Sequence, residues 1–235
     1  MISFLLFAAM SSSEALSVVL NTPGATSRDR YDEAVRIVHR EAAQGKRLQQ
    51  FVVGVTGSDE KLSYRYLAAA RPVIRVMAEE RNNPLAWYLL SMESNDLKLL
   101  ERAAAGGNIQ ALNALGAIKL DQAGKMPLTK EAEKLKREAF ECFKRSAMKL
   151  DPNALYNVGT CCMSGIGCPV NKTLALECFN AAAKTGHPGA MASLSDCYAH
   201  GDGTKKDSAA SLLWSMKAKA SMGDKSAKRW LEKSK

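Results

Sequence analysis

The chain has 235 residues, of which 46% are hydrophobic and 24% charged, and its formal net charge is +9. That balance excludes an intrinsically disordered chain, and no apolar run reaches the length of a transmembrane helix. Aromatic residues are sparse at 6%, while alanine gathers in runs such as "LAAA", "RAAAGG" and "NAAAKTG". This composition points to helices packed through small side chains and away from a β-sandwich.

Residues 1–27 form an apolar segment and a linker. "MISFLLFAAM" reads as the core of a signal peptide, with Ala15 and Ser17 at the −3 and −1 positions of a small-x-small cleavage site. No Lys or Arg precedes Arg28, so the usual positive leader is missing, and Met10 offers a second start. On this reading export is favoured over a cytoplasmic location. "NTPGATS" (21–27) is a loop or the start of the mature chain.

Residues 28–110 read as degenerate helical pairs or an N-terminal cap. "RDRYDEAVRIVHREAAQGKRLQQFVVGV" predicts a helix, a turn at Gly45 and a second helix. "DEKLSYRYLAAARPVIRVMAEERNN" predicts a long helix bent or ended near Pro72. "NPLAWYLLSM" followed by "DLKLLERAAAGGN" predicts a shortened helix pair without a glycine loop.

From Ala111 the chain repeats itself. "ALNALGAIKL", "ALYNVGTCCM" and "AMASLSDCYA" begin at Ala111, Ala154 and Ala190, and "AKRWLEK" follows from Ala227, at spacings of 43, 36 and 37 residues. Seven residues before each start lies Ala104, Ala147, Ala183 or Ala220, expected to let neighbouring helices approach closely. Four before lies Gly107, Gly186 or Gly223, with Leu150 the departure. A glycine there ends one helix in the left-handed conformation and turns the chain into the next. Each unit is therefore a helix A, a loop, a helix B and a tight turn. Leu112, Leu115, Leu155, Val158, Met191 and Leu194 form the buried stripe of the A helices. Phe140 and Phe143, Leu176 and Phe179, and Leu213 and Met216 do so for the B helices. The loops carry "GIG" (Gly165, Gly167) and "GDG" (Gly201, Gly203), whereas the first unit keeps only Gly124 and a loop expected to be seven residues longer. The units are 111–153, 154–189 and 190–226, closed by a basic capping helix at 227–235.

"ALYNVGTCCMSGIGCPVNKTLALECFNAAAKTGHPGA" resembles the Sel-one-like repeat, a tetratricopeptide-like helix pair patterned A-x-x-x-L-G, G-x-G and A-A-x-x-G. The resemblance is full over 154–189, good over 190–227 and partial over 104–153. It implies an all-α fold, a right-handed α-solenoid of antiparallel helix pairs, because such pairs bury a continuous core only against their neighbours. It also implies a scaffold or adaptor binding a protein or peptide partner, with no cofactor. In related repeats the A helices line the concave wall. The polar residues three, six and ten places after a repeat start share one A-helix face. Asn157, Thr160, Ser164, Ser193, Asp196 and His200 are thus candidate peptide-binding residues, or else solvated helix surface.

The cysteines fall into register. Cys142 and Cys178 stand twelve residues before a repeat start, and Cys161 and Cys197 seven after one. Cys142 is expected near Cys161, and Cys178 near Cys197, either as core residues or as disulfides in an oxidising compartment. Secreted members of the resembled family carry bridges nearer the turn, where this chain has Ala183 and Ala190. A metal site is disfavoured, because Cys161, Cys162, Cys168 and Cys178 lack paired C-x-x-C knuckles. Cys168 has no counterpart in the other units. Of the histidines, His39 reads as helix surface, His187 as an exposed turn residue and His200 as the end of an A helix. No H-E-x-x-H, G-x-S-x-G or phosphate loop occurs, so no catalytic residue is assigned. Within 201–235 nine Lys and Arg face four Asp and Glu. That basic end supports an alternative reading as a helical-repeat nucleic-acid binder, though no repeated base-reading code is present.

Overall fold

A computed structural model describes residues 28–46 and 60–234 of the chain. The segment 1–27, with its signal-peptide reading, and the helix expected after Gly45 lie outside the described residues. Among those described there are eleven helices and no strand: α1 (Arg28–Ala43), α2 (Glu60–Glu79), α3 (Pro84–Ser94), α4 (Leu97–Ala105), α5 (Ile109–Gly124), α6 (Lys130–Ala147), α7 (Pro152–Ser164), α8 (Lys172–Lys184), α9 (Pro188–His200), α10 (Ser208–Ser221) and α11 (Lys225–Lys233). From α2 onward each helix packs on its sequence neighbours, giving an all-α solenoid. Pro72 does not end α2, which runs on to Glu79. The shortened pair is α3 and α4, joined through Asn95 in the left-handed conformation.

The repeat is written at the start of every A helix. Asn108, Asp151, His187 and Asp224 are the N-caps of α5, α7, α9 and α11. Their side chains accept the backbone N–H of Ala111, Ala154, Ala190 and Ala227 at 2.8, 2.9, 3.0 and 3.0 Å. Those four alanines are buried, in the first turns of helices that pack against the B helix before them. Five residues beyond Ala111 and Ala154 the packing is closer still. A Cβ on Gly116 or Gly159 would stand 2.6 Å from the ring of Phe143 or Phe179, each on the B helix of its own unit.

The turns from B to A are left-handed at Gly107, Gly186 and Gly223, and Leu150 holds the same conformation with φ +59°. The chain therefore imposes the turn even where the sequence supplies the wrong residue. Gly165 and Gly201 end α7 and α9 in the same way. The second loop glycine has another task. A Cβ on Gly167 would lie 2.2 Å from the Lys136 carbonyl oxygen of α6, and one on Gly203 would lie 2.3 Å from that of Lys172 in α8. These loops thus lean on the B helix of the preceding unit.

Three sequence expectations change. The extra residues of the first unit do not lengthen its loop. They extend its helices, to 16 residues in α5 and 18 in α6 against 13 each in α7 and α8. The run "KEAEKLKREAFECFKRSA" is rich in strong helix formers and absorbs what would otherwise be loop. Second, the tightest point near the end of each B helix lies eight residues before the A-helix alanine, at Ala103, Ser146 and Ala182, all fully buried. Of the alanines seven before, Ala104 and Ala183 are buried while Ala147 and Ala220 are only half-buried. In the last unit α10 is one residue longer than α8, so Ala218 takes the tight position. Third, counting from the N-caps Asn171 and Asp207, Leu213 falls where α8 has the exposed Glu177, and it is itself 36% exposed.

Three stability outcomes follow from this geometry. Leu150→Gly should raise the unfolding free energy by about 1 kcal/mol, because the left-handed strain disappears and the side chain is already exposed. Gly167→Ala should cost about 2–4 kcal/mol, from strain plus collision with the α6 backbone. Gly186→Ala, which meets nothing within 4 Å, should cost only about 1 kcal/mol. Urea denaturation of the three variants measures the ranking.

Candidate partner-binding face and thiol cluster

The six polar candidates lie on α7 and α9. Asn157, Thr160 and Ser193 are half-buried, and Ser164, Asp196 and His200 are exposed. Two of them are engaged with their own helix. The Thr160 hydroxyl donates to the Tyr156 carbonyl at 3.1 Å, and His200 Nδ1 lies 3.0 Å from the Asp196 carbonyl oxygen. Asn157, Ser164 and Ser193 form no side-chain hydrogen bond among the described residues, so their polar groups face outward unspent.

Beside this face runs a ladder between consecutive A helices. Two residues beyond the repeat alanine, α5 and α7 each reach the N-cap of the next A helix. Asn113 Nδ2 donates to Asp151 Oδ1 at 2.7 Å, and the Tyr156 ring stacks on His187 with centroids 4.7 Å apart. Burial raises the Asp151 carboxyl above its usual range, partly offset by hydrogen bonds from Ala154 and Asn113. His187 is buried, contrary to the exposed turn residue that its "TGHPGA" setting predicts. As the cap of α9 it must bring its ring down onto the helix start, and there Tyr156 covers it. Sequence reasoning misses this role because histidine stands where the neighbouring units use Asp. His39 is exposed on α1.

Cations also bridge units. Arg145 Nη2 donates to the Ala104 carbonyl at 3.1 Å, and Lys149 Nζ donates to that of Gly107 at 2.9 Å. Both meet the C-terminal end of α4, where the helix dipole favours positive charge. Lys172 pairs with Asp202 of the next loop at 2.7 Å.

Cys142, Cys161, Cys178 and Cys197 are all buried, Cys142 in the N-terminal core and the other three in the C-terminal one. All six cysteines of the chain are free thiols. No sulfur contact forms between Cys142 and Cys161 or between Cys178 and Cys197 among the described residues. Equal height along two helices does not make two side chains face each other: Cys142 and Cys161 point into different cores. The sulfurs that do meet are Cys162 and Cys168, 3.9 Å apart. Burial pushes the Cys161 and Cys197 thiols up to about 11 and also raises those of Cys142, Cys162 and Cys178. Among the described residues no group of three or more His, Cys, Asp or Glu is arranged to hold a metal ion. No described helix is long and apolar enough to cross a membrane.

Comparison with known families matches the Sel1 repeat to residues 109–149, 152–187 and 188–220. A search of curated proteins gives no match. Among solved structures, a protective antigen of uropathogenic Escherichia coli strains displaying an SLR fold is 20% identical, with a TM-score of 0.57. The match covers 87% of this chain and 45% of that one, so this chain spans under half of the antigen's length. A Sel1 repeat protein from Oxalobacter formigenes is 22% identical with a TM-score of 0.48, over 53% of this chain and 90% of that one. At these identities the likeness is one of fold.

His187 makes stability depend on pH. Its Nδ1 accepts the Ala190 N–H, so the folded chain needs the neutral ring, and burial lowers its pKa to about 4 from 6.5. Between those values the unfolded chain binds the proton more readily. The stabilisation is therefore complete above about pH 6.5 and is lost as pH falls through about 4, by roughly 3 kcal/mol in all. His187→Asn keeps a capping side chain without the titration. Urea midpoints of the two proteins across pH 4–7 should diverge in that window and run parallel above it.

Proposed function

Because residues 109–220 of this chain form three consecutive Sel1 repeats, we propose that the protein is an adaptor holding a partner protein or peptide along its A helices. Sel1-repeat proteins are in general non-catalytic scaffolds for protein interaction. Asn157, Thr160, Ser164, Ser193, Asp196 and His200 form the contact face. The observation that carries this reading is the division of labour around the A helices. Their alanine, leucine and glycine positions are consumed by packing, while Asn157, Ser164 and Ser193 keep polar groups that satisfy nothing inside the molecule. An extended peptide offers an N–H and a C=O at every residue and rises about 3.3 Å per residue. Neighbouring helices lie about 8–10 Å apart. Polar side chains repeating from one A helix to the next suit contacts to such a strand every few residues.

Peptides selected from a displayed library on the full chain should lose at least tenfold in affinity to Asn157→Arg/Asp196→Arg. The thermal midpoint of that variant should be unchanged, because neither side chain supports the core. Unaltered binding would overturn the assignment of this face. Binding of RNA or heparin with a steep salt slope, lost on replacing Lys205, Lys206, Lys219 and Lys225, would favour the nucleic-acid reading instead.

A further inference from the structure

The second repeat contains a contact that its neighbours lack. Cys162 lies near the end of α7 and is 2% exposed, while Cys168 lies in the loop to α8 and is half-buried. Their sulfurs are 3.9 Å apart. The loop that joins them is held at both ends: the Ile166 N–H donates to the Cys161 carbonyl at 2.9 Å, and the Asn171 N–H to that of Cys162 at 2.8 Å. Gly167 between them rests on the α6 backbone. The third repeat builds the same loop, with the Asp202 and Asp207 N–H groups on the carbonyls of Cys197 and Tyr198 at 3.0 and 2.9 Å. Yet it carries Tyr198 and Thr204 where the second has Cys162 and Cys168. The loop therefore does not need two thiols in order to fold.

We propose that Cys162 and Cys168 form a site of reversible thiol oxidation by a small disulfide such as glutathione disulfide. Of the two only Cys168 is reachable from solvent, so it is the capturing thiol. Its thiolate attacks one sulfur of the disulfide. The S–S bond breaks, one glutathione leaves as thiolate and takes up the proton that Cys168 released. Cys162 then attacks the Cys168 sulfur, expels the second glutathione as thiol and completes an internal disulfide. Two protein thiols are oxidised and one small disulfide is reduced to two thiols. The sulfurs must close from 3.9 Å to about 2.05 Å, a change within the range of side-chain rotation and loop adjustment. Burial keeps Cys162 in the thiol form, so resolution rather than capture sets the pace. The bridge fastens the loop to α7 where that loop leans on α6, at the junction of the first and second repeats. The inference does not depend on the proposed partner face.

The test equilibrates the full chain with glutathione and glutathione disulfide, then counts free thiols and maps cross-linked peptides by mass spectrometry. The expected result is loss of two thiols, one Cys162–Cys168 cross-link and full reversal by dithiothreitol. Cys168→Thr copies the residue of the next repeat and so preserves the fold; it should lose no thiols under the same conditions. Cys178→Ala, which removes another buried thiol that acts electrostatically on Cys162, should behave as the parent does. A cross-link between any other pair, a stable glutathione adduct on Cys168, or an unchanged thiol count would each overturn the proposal.

Discussion

The array depends on one crowded place in each unit, the first turn of the A helix. There an N-cap side chain holds the N–H of an alanine, and that alanine is itself buried. The two requirements are linked. A larger residue would not fit the packed turn, and a missing cap would leave buried donors unpaired. The left-handed turn before the cap and the small residue near the end of the B helix belong to that junction, while the glycine beneath a phenylalanine in α5 and α7 draws in the B helix of the same unit.

The same constraint explains what varies freely. Asn, Asp and His all serve as caps because each offers one acceptor at the right height. His187 adds a cost that Asp does not, since it must stay neutral, and a gain, the stacked ring of Tyr156. Leu150 shows the reverse case: the turn geometry is imposed by the helices on either side, and the residue tolerates its strain. In the first repeat the helices lengthen by several residues without disturbing the crowded ends, because length is added at the far end of the hairpin.

The A-helix surface and the thiol pair sit outside this packing machinery. One is a row of polar groups left over after the core is satisfied. The other is a substitution in a loop that folds equally well with Tyr and Thr. Features that the fold does not require are where function has room to act, and the two differ in kind. The polar face is spread over successive units, whereas the sulfur contact belongs to one unit alone.

The sequence by itself determined the periodicity, the helix pairs and the left-handed turns, because alanine and glycine recur at fixed spacing and each acts on the backbone next to it. It also placed Leu112, Leu115, Val158 and Leu194 in the core, where they are buried. What only the tertiary structure decided were relations between elements. Register counted along the chain put the tight contact at Ala220 and Leu213 on the packing face. A single extra residue in α10 rotates that helix by about 100° per residue and moves both. Cys142 with Cys161 looked like a pair by height, yet the direction of each side chain set them in separate cores and brought Cys162 to Cys168 instead. Spacing fixes where a residue lies along a helix; which way it points, and what meets it there, depends on how the neighbouring helix is turned.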